Sequence, residues 1–470
     1  MKIKFCGAAQ TVTGSSHLVT LDDGYKILLD CGLFQGKGKH IWDLNNNWYF
    51  DPAEIDCLIL SHAHIDHTGR VPQLVKDGFK GQIISTHATR SLCSIMLLDS
   101  AYIQERDVEY YNKKLIKKRS KSKRKQFRVP LYTAEHVNPT MDLFITCGYN
   151  HWATLRDGVR ILFRDAGHIL GSSSVTLEIR EHGKTRTLAF SGDIGRPDRP
   201  ILRDPRSMPD ADIVITESTY GNREHESGPA EFDRFLSIIK HTCLEKGGKL
   251  IIPAFSVGRT QEIVYLLDRM ESDGRLPKLP VYVDSPLAVN ATQIFGSHPE
   301  CFDDDLNEYL LVDENPFGFN DLNYVRDVAI SKSLNTSKEP CIIISSSGMM
   351  NFGRIRHHMY NNIEHKKNTF LIVGYCSPDT PGGQLKNGAE GLRIFGDWKQ
   401  VNAEIEVMDS FSAHGDRNEM RDVLDNQKSS AAHTFLVHGE LDTQEAFKDF
   451  LEADGFKGVH IPALGEEVDV

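Results

Sequence analysis

Ser61-His62-Ala63-His64-Ile65-Asp66-His67 decides the reading of this chain. It follows a short apolar run, Cys57–Leu60, that reads as a strand, and it precedes Thr68-Gly69, which reads as a turn. In an extended segment the side chains of His62 and His64 share one face, because the strand period is two. Once the chain turns, Asp66 and His67 face a second point close by. Three imidazoles and a carboxylate within six residues suit zinc or a similar borderline divalent ion. Such a cluster directly after an apolar strand is expensive to keep without a bound partner.

The 470 residues around it are 40% hydrophobic and 25% charged, which excludes a chain that is disordered, collagenous or coiled-coil overall. Fifty-four basic residues against 65 acidic ones give a net charge of −11. Whole-molecule attraction to nucleic acid or to an anionic membrane is therefore not expected, and any anionic substrate must be held by local positive charge. Nine scattered cysteines without a CxxC pair exclude a zinc ribbon or a thioredoxin-like site and fit a reducing compartment. The opening MKIKFCGAAQTVTG lacks the apolar core of a signal peptide, and no apolar run approaches the ~18 residues of a membrane span. A cytoplasmic protein with no membrane partner is the expectation.

The chain changes texture twice. Up to about residue 221 it reads as short strands joined by hairpin turns (Asp22-Asp23-Gly24 and Glu181-His182-Gly183-Lys184), with a helix over about Ser91–Lys114. From 222 to about 395, helices alternate with the strands Lys249–Pro253, Pro280–Asp284, Cys341–Ser345 and Phe370–Val373, which argues for a parallel, Rossmann-like sheet. One of these helices is read over Ala230–Lys246, and Gly374–Gly388 reads as a Gly/Pro loop. Short strands return in 396–470, so a compact α/β module is read as inserted into another domain. One segment stands apart: Lys113–Arg128 holds ten basic residues and no acidic one. It reads either as a solvated charged loop or as a tether for a polyanion.

Further strand-end residues attract attention. Asp30 closes a hairpin strand before Gly32; His168 lies in Asp165-Ala166-Gly167-His168-Ile169-Leu170-Gly171; Asp193 lies in Phe190-Ser191-Gly192-Asp193-Ile194-Gly195. Taken singly, each has an ordinary structural reading, as a turn residue or a buried histidine. Together with HxHxDH, and in this order, they resemble the metallo-β-lactamase superfamily. That resemblance implies an αββα sandwich, an orienting role for Asp30, His168 as a further ligand and Asp193 as a carboxylate bridging two metals. A histidine at position 64, rather than a glutamate, favours zinc over iron.

Three more segments select the branch. Glu217 ends the strand-like Ile213–Glu217, His414 lies in Ser410-Phe411-Ser412-Ala413-His414-Gly415-Asp416, and His438 lies in Leu436-Val437-His438-Gly439-Glu440. In this order they resemble motifs A, B and C of the β-CASP nucleases, with the Rossmann-like insert between A and B. The resemblance implies domains at 1–221, 222–395 (β-CASP) and 396–470 (the return). It also implies two zinc ions per chain: one on His62, His64 and His168, the other on Asp66, His67 and His438, with Asp193 between them. Histidine at motif C is similar to the RNA-cleaving branch.

The implied activity is hydrolysis of single-stranded RNA by a two-metal-activated hydroxide, leaving 5′-phosphate and 3′-hydroxyl ends. Asp66 helps orient the nucleophile, and His414, positioned by Glu217, protonates the leaving oxygen. Arg259 and Ser412 are the expected phosphate contacts, and a homodimer is suggested by analogy alone. The competing readings are a DNA nuclease of the same architecture, a small-ester or thioester hydrolase, and a non-enzymatic RNA-binding subunit.

Overall fold

The computed structural model describes residues 1–36, 38–117, 127–225, 231–374, 376–408 and 412–470. It divides into two compact units, one formed by Met1–Glu224 with His414–Val470, the other by His225–Ala413.

The first unit holds two seven-stranded sheets. In one, the strands run Glu467–Asp469, Lys2–Gly7, Ser16–Thr20, Lys26–Leu29, Cys57–Ile59, Gln82–Thr86 and Phe144–Cys147 across the sheet, antiparallel on the first side and parallel from Lys26–Leu29 onward. In the other, the order is Val459–His460, His433–Val437, Ile213–Glu217, Lys184–Phe190, Ser173–Glu181, Val159–Asp165 and Ala153–Arg156. Period-two burial builds the core between them. Ile3 and Phe5, Val159, Ile161 and Phe163, Val175, Leu177 and Ile179, and Phe435 and Val437 all enter one cluster. The opposite face of the second sheet, with Ala189, Val214 and Leu436, packs under the helices Arg417–Leu424 and Leu441–Ala453. The long helix His87–Lys117 lies beside Gln82–Thr86 and Phe144–Cys147 on the first sheet. This is the αββα sandwich.

Both anticipated hairpin turns are present. The backbone N–H of Tyr25 donates to the Asp23 carboxylate at 3.0 Å, and His182 and Gly183 both take positive φ, as a two-residue turn requires.

The second unit carries a six-stranded, wholly parallel sheet in the order Leu322–Tyr324, Val281–Val283, Cys341–Ser345, Lys249–Pro253, Thr369–Ile372 and Glu404–Val407. The central Lys249–Pro253 and Cys341–Ser345 are buried along their whole length, as strands covered on both faces must be. This is the inserted Rossmann-like module. The strand Glu404–Val407 pairs with Thr369–Ile372 here, beyond the boundary at 395 read from the sequence.

Some local expectations need correction. Gly374–Gly388 is not all loop: Pro381–Lys386 is a helix, with Pro at its first position and the Thr380 hydroxyl accepting from the Gly383 N–H at 3.1 Å. Its two glycines hid it. The segment expected as one helix over Ala230–Lys246 is α-helical over Glu231–Ile239 and π-helical over Lys240–Glu245, and residues 226–230 lie outside the described residues. Most of the basic run likewise lies outside them, at 118–126. A two-stranded hairpin, Gly391–Ile394 with Asp397–Gln400, was not anticipated. Among the described residues no helix is long and apolar enough to cross a membrane.

Candidate metal centre

The chemistry-bearing residues of the first unit collect where strands end. Asp30 follows Lys26–Leu29, His62 follows Cys57–Ile59, and His168 follows Val159–Asp165; Asp193 follows Lys184–Phe190, Glu217 closes Ile213–Glu217, and His438 follows His433–Val437. Carboxyl ends of strands are free to turn outward, which is why sites gather there. Two of these residues hold strained backbones: Asp30 has φ 59° and His438 has φ 52°.

One group of ligand atoms comes from His62, His64, His168 and Asp193, all within 4.8 Å of one another. His64 Nδ1 lies 3.1 Å from His62 Nε2 and 3.1 Å from His168 Nε2. Asp193 Oδ2 is 3.4 Å from each of those two Nε2 atoms. A second group is Asp66, His67 and His438. His67 Nε2 faces His438 Nε2 at 3.2 Å, and Asp193 Oδ1 is 3.2 Å from His67 Nε2. Asp193 thus presents one oxygen to each group. The helical turn Ile65–Thr68 begins directly after His64, which sends Asp66 and His67 to a different point from His62 and His64.

The donor set fits a divalent cation. Three ring nitrogens converging on one spot at 3.1 Å have too few protons and lone pairs in the right directions to satisfy each other. Asp193 Oδ1 is buried without a hydrogen bond among the described residues. Burial, reinforced by neighbouring histidines, holds His62 well below the usual imidazole range. Burial is also the main cause that lowers His64 to about 4. Both therefore offer neutral nitrogens, the form a metal needs. Burial opposes ionisation of Asp66, but the His438 hydrogen bond and the His67 charge outweigh it and lower that carboxyl to about 2.

Asp30 belongs to none of the ligand groups but lies directly behind one of their members. It is fully buried and accepts from the Ser61 N–H at 2.8 Å, the Ser61 hydroxyl at 2.9 Å and the Ser15 hydroxyl at 3.2 Å. Its Oδ2 lies 2.7 Å from His67 Nδ1. A carboxylate on Nδ1 fixes the tautomer and turns Nε2 toward the second group.

The third group joins Asp193 to Glu217 and His414. His414 Nδ1 is 3.0 Å from Glu217 Oε2 and 4.0 Å from Asp193 Oδ2. Burial works against the proton on His414, but the Glu217 charge and hydrogen bond outweigh it and raise that imidazole to about 9. Glu217 is itself held by the Ile194 N–H and the Thr219 hydroxyl. Thr219 Oγ1 also lies 3.1 Å from His438 Nδ1, and the Tyr220 ring meets His414 edge-on at 6.0 Å. Sequence reasoning gave no role to Thr219, Tyr220 or Ile194. The adjacency of Ser218-Thr219-Tyr220 to Glu217 was the available signal.

Two expected phosphate contacts belong to the second unit. Arg259 opens the helix Arg259–Ser272, is buried, and is paired with Glu262. Ser412 is buried as well.

Gly32 sets the placement of the metal loop. A Cβ there would sit 1.6 Å from the Asp66 carbonyl oxygen, which accepts from the Ser15 N–H at 2.8 Å. Gly32→Ala is expected to push Asp66 and His67 out of register, lowering metal content measured by elemental analysis. A stability loss of about 1–3 kcal/mol, seen as a lower Tm, accompanies it.

Comparison with known families agrees with this geometry. Residues 10–229 match the Metallo-beta-lactamase superfamily, residues 260–385 the Beta-Casp domain, and residues 398–462 the Zn-dependent metallo-hydrolase RNA specificity domain. The chain is 33% identical to Ribonuclease TTHA0252 of Thermus thermophilus over the whole length of both. It is 29% identical to Transcription termination factor FttA of Methanosarcina mazei, over 94% of this chain and 67% of that protein. It is also 29% identical to Cleavage and polyadenylation specificity factor 73 of Drosophila melanogaster, over 97% of this chain and 62% of that protein. A full-length match at this identity, on a fold with buried His/Asp clusters, places the chain in the metallo-β-lactamase superfamily, within its β-CASP ribonuclease branch, as a metal-dependent hydrolase.

Proposed function

We propose that the protein hydrolyses phosphodiester bonds of single-stranded RNA, leaving a 5′-phosphate and a 3′-hydroxyl, with two zinc ions as resident cofactors. The observation that carries this is the His414–Glu217 pair set against Asp193 at the edge of two ligand groups. A thioester expels a weakly basic thiolate that departs without much help. The O3′ of a ribose is a poor leaving group and needs a proton. A half-buried histidine whose proton is secured by a buried glutamate supplies it.

His62, His64, His168 and Asp193 would hold one ion; Asp66, His67, His438 and Asp193 the other. When bound, the ions supply Lewis acidity toward a water and a phosphate oxygen. The chain's own residues do the rest. Asp30 and Thr219 fix the rings of His67 and His438. Asp66, held as a carboxylate, accepts a hydrogen bond from the attacking water and aims it. His414 keeps Nδ1 on Glu217, so Nε2 is the atom from which the proton passes to O3′. Arg259 and Ser412 remain our choice for contacts to the phosphate chain.

Zinc-loaded protein is to be incubated with end-labelled single-stranded RNA and with DNA of the same sequence, beside His64→Ala. Cleavage of RNA alone, absent in His64→Ala, is the expected result. Equal cleavage of DNA would move the substrate to the DNA-cleaving branch. Failure to cut either polymer by protein with a full metal load would sink the nuclease reading.

A further inference from the structure

The unanticipated hairpin of the second unit presents an unusual face. Leu392 and Ile394 point inward and are buried in that unit's apolar core. The outward positions carry Arg393 and Trp398, which are direct cross-strand partners, and both are exposed. Trp398 is 62% exposed although its indole is large and apolar. The indole crowds Gly391: a Cβ on that glycine would sit 2.3 Å from the indole Cζ2. The ring is thus packed against backbone there while much of it is presented outward.

The turn is Phe395-Gly396, with φ 56° and 101°. Such a two-residue turn favours Asn or Asp at its first position, and a phenylalanine there is strained. Phe395 nevertheless occupies it and is 46% exposed. The Arg356 guanidinium lies 4.4 Å from the centre of its ring, and the His357 ring lies tilted beside it, its centre 4.7 Å away.

Arg356 on Phe395 and Arg393 across from Trp398 bring positive charge beside these rings. Burial together with the charges of His358, Arg356 and Lys332 pushes His357 below the usual imidazole range. Of the nearby carboxylates, Glu364 is paired with Lys399 at 2.8 Å, and Asp397 keeps its charge while accepting from the Tyr360 hydroxyl at 2.8 Å. Arg393 has no ion-pair partner among the described residues. Two exposed rings interleaved with guanidinium groups are the chemistry of a single-strand nucleic-acid platform, where bases stack and phosphates pair with Arg.

We propose that the outer face of the hairpin Gly391–Gln400, with Arg356 and His357 beside it, is a docking surface for single-stranded RNA, stacking bases on Trp398 and Phe395 and pairing phosphates with Arg393. The inference rests on the RNA reading of the metal centre but concerns a different unit of the chain, and it is tested by binding, not by cleavage.

A fluorescein-labelled, uridine-rich RNA is to be titrated with the zinc-loaded protein in an H414A background, which leaves the RNA intact for the measurement. Adding W398A is expected to weaken binding roughly tenfold, the usual worth of one base–ring stack. W398F should keep most of the affinity, since it keeps a ring. R393A should lower the slope of log affinity against log salt by about one contact. L311A/V312A, an exposed apolar pair elsewhere in the unit, should bind as the background does. Affinity and salt slope unchanged in W398A/R393A would overturn the docking surface while leaving the cleavage reading intact. A dimer that W398A converts to monomer with RNA affinity unchanged would also overturn it, in favour of a second copy of this chain. Absence of RNA binding by the unmutated face would end the proposal, and absence of RNA cleavage by wild type is read separately.

Discussion

His414→Ala is expected to keep the wild-type metal content and lose about 10²–10⁴-fold in kcat, which is about 3–5 kcal/mol of barrier. His414 belongs only to the group with Glu217 and Asp193, and not to either of the two histidine-rich groups. Elemental analysis beside single-turnover kinetics separates this from a ligand role, in which metal and activity would fall together. The pH profile adds a second signature. His414 must carry its proton to act, and Glu217 raises its value to about 9. The proton is therefore present below that value and lost as pH rises through it, so the basic limb of kcat falls at or below about 9, because cations in the adjacent groups oppose the proton. Glu217→Gln removes the charge that holds it. The limb should then move toward the ordinary imidazole range near 6.5. A limb that stays in place in Glu217→Gln would remove the pair from acid catalysis.

Asp193→Asn should be the more damaging change to the centre itself. Asp193 faces His62 and His168 with one oxygen and His67 with the other. Burial opposes its charge, but His438, His67 and His62 outweigh that and hold the carboxyl well below its usual range. An amide removes the negative charge between two cationic positions. We expect metal affinity to fall by more than the 10–100-fold typical of an outer partner, with activity near background. A thermal measurement distinguishes lost binding from lost folding. Excess zinc raises the wild-type Tm, since a ligand at about 100 times its Kd adds about 2.7 kcal/mol. The Asn variant should fold but show little of that rise. An equal rise in both proteins would contradict the assignment of Asp193 to the metals.

Much of the architecture could be read from residues whose local constraints are strong. His62, His64, Asp66 and His67 sit within one strand end and one helical turn, so spacing alone separated them into two directions. The parallel insert announced itself through apolar runs such as Leu250–Ile252 and Ile342–Ile344, which admit few other placements. What escaped depended on long-range partners or on weak local signals. Thr219 gains its role from His438, 219 positions away, and Ser15 gains its role from Asp30 across a folded loop. Neither bond leaves a pattern in the sequence. The helix Pro381–Lys386 contains Gly382 and Gly383, whose low helix propensity masked its Thr-Pro start. The hairpin Gly391–Gln400 turns at Phe-Gly, a pair that carries no ordinary turn signal.

The first unit is assembled from two stretches of chain separated by the whole insert. The strand His433–Val437 must slot beside Ile213–Glu217 before His438 can meet Asp66 and His67. His414 likewise reaches Glu217 only after residues 225–413 have been made. During synthesis, therefore, the emerging polypeptide carries most of the candidate ligands but neither His414 nor His438. The centre is thus closed last, by the stretch of chain that lies beyond the insert.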